Sequence, residues 1–233
     1  MELSIIIPTY NEEKHLPRLL DSIKRQEFKD YEIIIADANS KDKTREIAKK
    51  HGCIVVEGGL PSKGRNNGAN AARGKFLLFL DADIVIPPDY LKESLREFKE
   101  RDLGIAISKV TPISSKIIDK FLYSIANMFF TAMEKIKPHG AGFCGILTKK
   151  SLHTSIGCFD ESITYSEDAY YIEKIGRSSK FGVLRNSNIF LSVRRLDKEG
   201  RLNFVLKNLK GTFYQFIKKQ VTLKDMDYDF EYD

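Results

Sequence analysis

The chain has no tryptophan, only three cysteines in 233 residues, and no apolar run long enough to span a bilayer. Cys53, Cys144 and Cys158 are odd in number and widely spread. Their spacing argues against a disulfide framework and against zinc or redox motifs, and predicts reduced thiols in a cytoplasmic protein. The nearest candidate span, residues 121–133, is too short and follows Asp119-Lys120. The N-terminus runs from Met-Glu-Leu-Ser straight into Ile5-Ile6-Ile7, without a secretory pattern. Residues 225–233 hold five acids and no base, which leaves +11 on the other 224 residues against a formal +6 overall. A basic body suits anionic partners such as nucleotide or lipid phosphates, or serves solubility alone. Nucleic acid is disfavoured, because the basic residues are not interleaved with aromatics in a recognisable motif.

What is present is an ordinary globular composition, 42% hydrophobic and 30% charged, with length enough for a core that needs no disulfides. Strand-like apolar runs at 4–7, 31–36, 53–56, 75–80 and 104–108 alternate with helical patterns at 14–25, 44–51, 66–72 and 88–100. Such alternation predicts an α/β fold with a mostly parallel central sheet flanked by helices. Beyond it, the pattern predicts helices at 115–137, 166–176 and 202–219 and strands at 146–148, 181–184 and 189–193, with a glycine-rich loop at 140–145. The expected organisation is one domain in two halves, 1–110 and 111–224, followed by an acidic tail, 225–233, that frays.

Asp81-Ala82-Asp83 closes the apolar run Phe76-Leu77-Leu78-Phe79-Leu80. Carboxylates at i and i+2 of an extended segment share a face, where they repel and resist desolvation. A hard divalent cation removes both problems; the plainer reading is a solvated turn. Ligands of parallel sheets bind at strand carboxyl ends. Two more ends here are polar, Pro8-Thr9-Tyr10-Asn11-Glu12 and Asp37, and all three are expected to share one crevice.

Six blocks in order carry a resemblance. They are Ile5-Ile6-Ile7-Pro8-Thr9-Tyr10-Asn11-Glu12; Asp37-Ala38-Asn39-Ser40-Lys41-Asp42-Lys43-Thr44; Arg65-Asn66-Asn67-Gly68 with Ala72 and Gly74; Asp81-Ala82-Asp83; Gly157-Cys158-Phe159-Asp160-Glu161; and Glu167-Asp168. Over about residues 3–176 the chain resembles a family 2 glycosyltransferase of the GT-A type, with an acceptor-side region and a C-terminal helix. The resemblance implies a nucleotide-sugar donor held by Pro8, Thr9, Tyr10, Glu12, Asp37, Arg65, Asp81 and Ala82, with Asp37 on uracil. It implies Mn2+ or Mg2+ on Asp83 and Asp81, and Asp168 as general base, oriented by Glu167, for an inverting transfer to a glycan, lipid-linked or other hydroxyl acceptor. Arg194, Arg195 and Gly142 are candidates for the diphosphate or acceptor. His139 lies beside the loop as a weaker candidate, and Lys174 stands where many relatives have Arg. The Gln-x-x-Arg-Trp signature of processive members is absent, so one sugar per event is expected. A polyprenyl-phosphate sugar synthase is the rival reading. A nucleotidyltransferase lacks its glycine-rich first turn here, and a non-catalytic sugar-nucleotide-binding module does not explain three retained acids.

Residues 202–219 combine Phe204, Val205, Leu209, Phe213, Phe216 and Ile217 with Arg201, Lys207, Lys210, Lys218 and Lys219. Such a basic amphipathic helix either packs on its own sheet or lies peripherally on the inner face of an anionic membrane, and 121–133 poses the same choice.

Overall fold

The computed structural model describes residues 1–156, 158–163 and 165–217. The elements run β1 (Leu3–Thr9), α1 (Leu16–Lys24), β2 (Tyr31–Asp37), α2 (Thr44–Lys50), β3 (Ile54–Glu57), α3 (Pro61–Ala71), β4 (Phe76–Phe79), β5 (Ile84–Val85) and α4 (Tyr90–Glu100). They continue with β6 (Ile105–Ile113), α5 (Ile117–Ile136), β7 (Ile146–Lys149), α6 (Lys150–Ser155), α7 (Glu167–Gly176), β8 (Phe181–Ser192), α8 (Arg194–Glu199) and α9 (Arg201–Ile217). Among the described residues the strands form one sheet in the order β3-β2-β1-β4-β7-β6-β8-β5. Strands β1 to β4, β6 and β8 point one way, and β7 and β5 run against them. The mostly parallel α/β fold is therefore as expected.

Ile5, Ile6 and Ile7 are all fully buried, as a strand covered on both faces requires. The chain leaves β1 toward β2 on one side and reaches β4 on the other, so the switch point of the sheet lies between β1 and β4. Their carboxyl ends carry the first loop and the Asp81–Asp83 segment. Helix α3 lies against β1 because Gly64 and Gly68 face it: a Cβ on Gly68 would sit 2.4 Å from Ile6 Cγ2.

Several boundaries differ from the sequence expectation. Helix α3 begins at Pro61 rather than 66, because Pro fits a helix's first turn and the preceding Gly58-Gly59 reads as a loop. The strands expected at 181–184 and 189–193 are one strand, β8. Its polar centre, residues 185–187, bulges between the pairs Ser108↔Leu184 and Lys109↔Asn188. The buried Glu97 carboxylate accepts the bulge amides of Arg185 and Asn186, so the polar residues do not end the strand. β5, α6 and α8 are too short for a periodic signal. Position 110 falls inside β6, and residues 225–233 lie outside the described part.

Glu32 on β2 ties three segments. It accepts from Ser4 Oγ at 2.6 Å, Arg73 N at 2.6 Å and Arg73 Nε at 2.8 Å, while Ser4 Oγ takes the Gly74 amide. Burial opposes its charge, but these donors outweigh it and hold the carboxyl below its usual range. Because Arg73 is exposed, the hydroxyl and amide carry most of this. A group with a depressed folded pKa stabilises above its unfolded pKa and ceases to as pH falls through the folded one. Glu32→Gln is expected to cost roughly 2–3 kcal/mol at pH 7, with the deficit shrinking by pH 3 in urea melts. A deficit independent of pH would contradict the assignment.

Candidate active site

The first loop is stapled to the turn after β2. Thr9 and Asp37 are register partners, and Thr9 Oγ1 donates to Asp37 Oδ2 at 3.1 Å. Asn11, at φ 51°, donates its amide to Ser40 Oγ and accepts from Lys41 N; Glu12 N donates to Thr44 Oγ1. Asp37 is fully enclosed. Its oxygens take Ser40 N at 3.0 Å and Ser40 Oγ at 2.5 Å, and Arg45 lies 3.4 Å away. In this arrangement Asp37 closes a turn, where the sequence reading had it reach for a base. Pro8, Thr9 and Tyr10 stand at the mouth of the crevice on the same loop.

Asp81 and Asp83 end up in different surroundings, because the chain turns after Leu80 and Ile84 N donates back to Asp81 O. Asp81 is partly open and lies 3.5 Å from Arg65 Nη2. Asp83 has a side chain only 3% exposed. Its Oδ2 accepts from Arg194 Nε at 2.9 Å, and its Oδ1 is buried with no hydrogen-bond partner among the described residues. Ala82 between them is buried. Arg194 opens α8, and its two terminal nitrogens grip Glu12 at 2.6 and 3.0 Å. Arg194 thus sits on the donor side of the crevice, joining the first loop to Asp83, while its neighbour Arg195 is exposed.

Arg65 is the hub. It is 5% exposed, donates to Glu167 Oε1 at 2.6 Å, reaches toward Asp81 and lies 5.4 Å from the Phe159 ring centroid. Its guanidinium thus bridges the carboxylates of Glu167 and Asp81. Asp168, next along α7, accepts the Gly142 amide on Oδ2 and the Ala169 amide on Oδ1. A Cβ on Gly142 would lie 2.8 Å from both Arg65 Nη2 and Asp168 Oδ2, so only glycine lets this loop meet the two. Gly140 is close-packed against Ile107 and Ile172, so the loop glycines serve packing and Asp168, where an approach to the sugar was expected. Burial and the adjacent Asp168 push the Glu167 carboxyl upward, with Arg65 opposing. His139 is buried with its ring against Phe129 and Phe130, and burial lowers its pKa.

Asn66 had no assigned role in the sequence reading. Its amide donates to Phe159 O and Glu161 Oε1 and accepts from Phe159 N, so it pins the segment before α7 to α3. No local pattern signals a pairing across 93 residues.

Two carboxylates, one with an orphaned buried oxygen, fit a hard divalent cation. Among the described residues no cluster of three or more ligating side chains exists. The donor set therefore suits Mg2+ or Mn2+ arriving with a diphosphate, since such ions take one or two carboxylates and complete their shell from substrate and water.

A mostly parallel sheet with paired acids at its switch point defines a GT-A glycosyltransferase architecture. The chain belongs to glycosyl transferase family 2, whose sequence model matches residues 4–153. It is 29% identical over 133 residues to the poly(ribitol-phosphate) beta-N-acetylglucosaminyltransferase TarS of Staphylococcus aureus, covering 53% of this chain and 23% of TarS. To the GalNAc(5)-diNAcBac-PP-undecaprenol beta-1,3-glucosyltransferase of Campylobacter jejuni it is 36% identical over 91 residues, 35% of this chain and 29% of that protein. The chain thus spans under a third of either relative. The crystal structure of TarS 1–349 with UDP-GlcNAc superposes with a TM-score of 0.66 at 22% identity, covering 83% and 59% of the two chains. The mannosyltransferase PcManGT of Pyrobaculum calidifontis, with GDP-Man and Mn2+, gives 0.73 at 18% identity, covering 95% and 65%.

If Arg65 neutralises this junction, Arg65→Met leaves Glu167 buried beside Asp168 without a counter-ion. The expected loss is about 3–5 kcal/mol in urea melts. Arg65→Met with Glu167→Met is expected to recover more than half of it; no recovery would show that Arg65 stabilises the fold through other contacts.

Proposed function

We propose that this chain moves one sugar from a nucleotide diphosphate donor, a UDP-sugar foremost, to an acceptor hydroxyl with inversion at the anomeric carbon. The observation that supports the reading is the Arg65 junction, which joins Asp81 to Glu167, the residue before Asp168. The UDP-GlcNAc complex of TarS supports the uracil donor, and the PcManGT complex supports a divalent cation. The names of TarS and of the C. jejuni enzyme support a glycan or lipid-linked acceptor.

In this mechanism the backbone of Pro8, Thr9 and Tyr10 and the buried Ala82 line the nucleotide, with Asp37 shaping that loop. Asp83, with Asp81 beside it, would hold the cation, which offsets charge on the departing diphosphate. The acceptor oxygen bonds to the anomeric carbon as the bond from that carbon to the diphosphate oxygen breaks, and the nucleoside diphosphate leaves. Asp168 takes the acceptor proton. The Gly142 and Ala169 amides fix its carboxylate while each oxygen keeps a free lone pair. Glu167, held by Arg65, fixes the start of α7 and so aims Asp168.

A lipid phosphate as acceptor has less support: of the pair Arg194-Arg195 expected to receive it, Arg194 is engaged by Glu12 and Asp83. Transfer of single sugars fits the missing processive signature, and three free cysteines fit a cytoplasmic location. No helix among the described residues is long and apolar enough to cross a membrane.

Two variants separate binding from chemistry. Asp83→Ala is expected to abolish the Mn2+-dependent part of UDP stabilisation in thermal-shift titrations; an unchanged manganese effect would remove Asp83 from the metal site. Asp168→Asn is expected to bind UDP normally and to slow transfer by at least about 10²-fold. Wild-type turnover in that variant would remove the base assignment.

A further inference from the structure

Helix α5 buries one face through Tyr123, Phe130 and Met133, yet its opposite face is apolar as well. Ile117, Phe121, Ile125, Met128 and Ile136 follow one another at helical spacing and are all exposed, Ile117 at 83% and Ile136 at 76%. Helix α9 repeats the pattern. Phe204 packs on the core, while Leu202, Leu206 and Leu209 face outward at 75%, 54% and 61%. One face of each helix therefore packs on the protein's own core, as one of the two sequence readings had it, and the other face is exposed.

The two helices are joined at their N-terminal ends. Arg201 Nε donates to Asp119 Oδ1 at 2.7 Å, and Lys116 lies 3.5 Å from Asp197, so the N-terminal ends of α5, α8 and α9 are tied together. Ile113 and Phe190, at the crevice end of β6 and β8, extend the exposed apolar surface. The charges around these faces are mainly basic; of the acids on α8, the exposed Asp197 is paired with Lys116 and Arg201, and Glu199 with Lys207. Lys116, Lys120, Lys135, Lys198 and Lys210 are exposed on the three helices. Of the acids on α5, Asp119 is buried and Glu134 is paired with Arg101, and α9 contains none between Arg201 and Ile217.

Exposed apolar helix faces of this extent mark an interaction site. A protein partner or second copy would leave the basic rim without a reason, whereas amphipathic helices with basic borders settle into anionic headgroups. We propose that the outer faces of α5 and α9 rest on an anionic lipid surface, which places the crevice beside the bilayer. This goes beyond the transfer reading and does not depend on which acceptor is used.

The test is flotation of the chain with vesicles of equal phosphatidylcholine and phosphatidylglycerol, against pure phosphatidylcholine. Wild type is expected to float with the anionic vesicles at low salt, with recovery at least tenfold lower on neutral vesicles or at high salt. Phe121→Asp with Met128→Asp, and separately Leu206→Asp with Leu209→Asp, are expected to cut recovery at least tenfold while melting temperature and UDP-Mn2+ stabilisation stay at wild-type values. All four side chains are exposed, so folding is not at stake. Failure of wild type to float, or flotation of both variants like wild type, overturns the proposal. So does a stable wild-type dimer in light scattering that these substitutions split while vesicles are ignored, which assigns the face to a second copy. UDP stabilisation reports separately on the transfer reading.

Discussion

The contact on which the site depends is the buried ion pair between Arg65 and Glu167. A guanidinium at 5% exposure is tolerated only if carboxylates meet it with good geometry, and removing one partner strands the other. Everything around it serves that meeting. Gly68 lets α3 close on β1, Gly142 lets the loop before β7 pass between Arg65 and Asp168, and Asn66 pins the chain that leads into α7. The pair spans 102 residues, so it ties α3 of the first half of the chain to α7 of the second.

That point is also electrically incomplete. Arg65 faces Asp81, Glu167 and Asp168, and Arg194 faces Glu12 and Asp83. Five carboxylates surround two guanidiniums, and Asp83 keeps an oxygen with no donor among the described residues. Burial first, and repulsion from Asp168 second, push the Glu167 carboxyl upward although it touches an arginine. On the proposed reading, a cation bound with the diphosphate would relieve this excess of negative charge.

The strands that build the crevice were legible because each is an apolar run ending in polar residues, which is what a doubly covered parallel strand looks like in sequence. Asp81, Asp83 and Asp168 were legible as carboxylates in an ordered set of motifs. Partners were not. That Asp37 faces Ser40 and Thr9, Arg65 faces Glu167 and Asp81, and Arg194 grips Glu12 was not legible, because long-range pairing leaves no periodic trace. The split reading of β8 had the same origin: residues 185–187 read as a loop only because the buried Glu97 that receives their amides lies 88 and 89 residues away.

Helix α8 brings these strands of argument together. It is six residues long and has no packing stripe of its own, yet it carries Arg194 into the crevice and Asp197 toward α5 and α9. Its two ends therefore serve different tasks: one secures Asp83 and Glu12, the other fixes the two helices whose outer faces are apolar and basic.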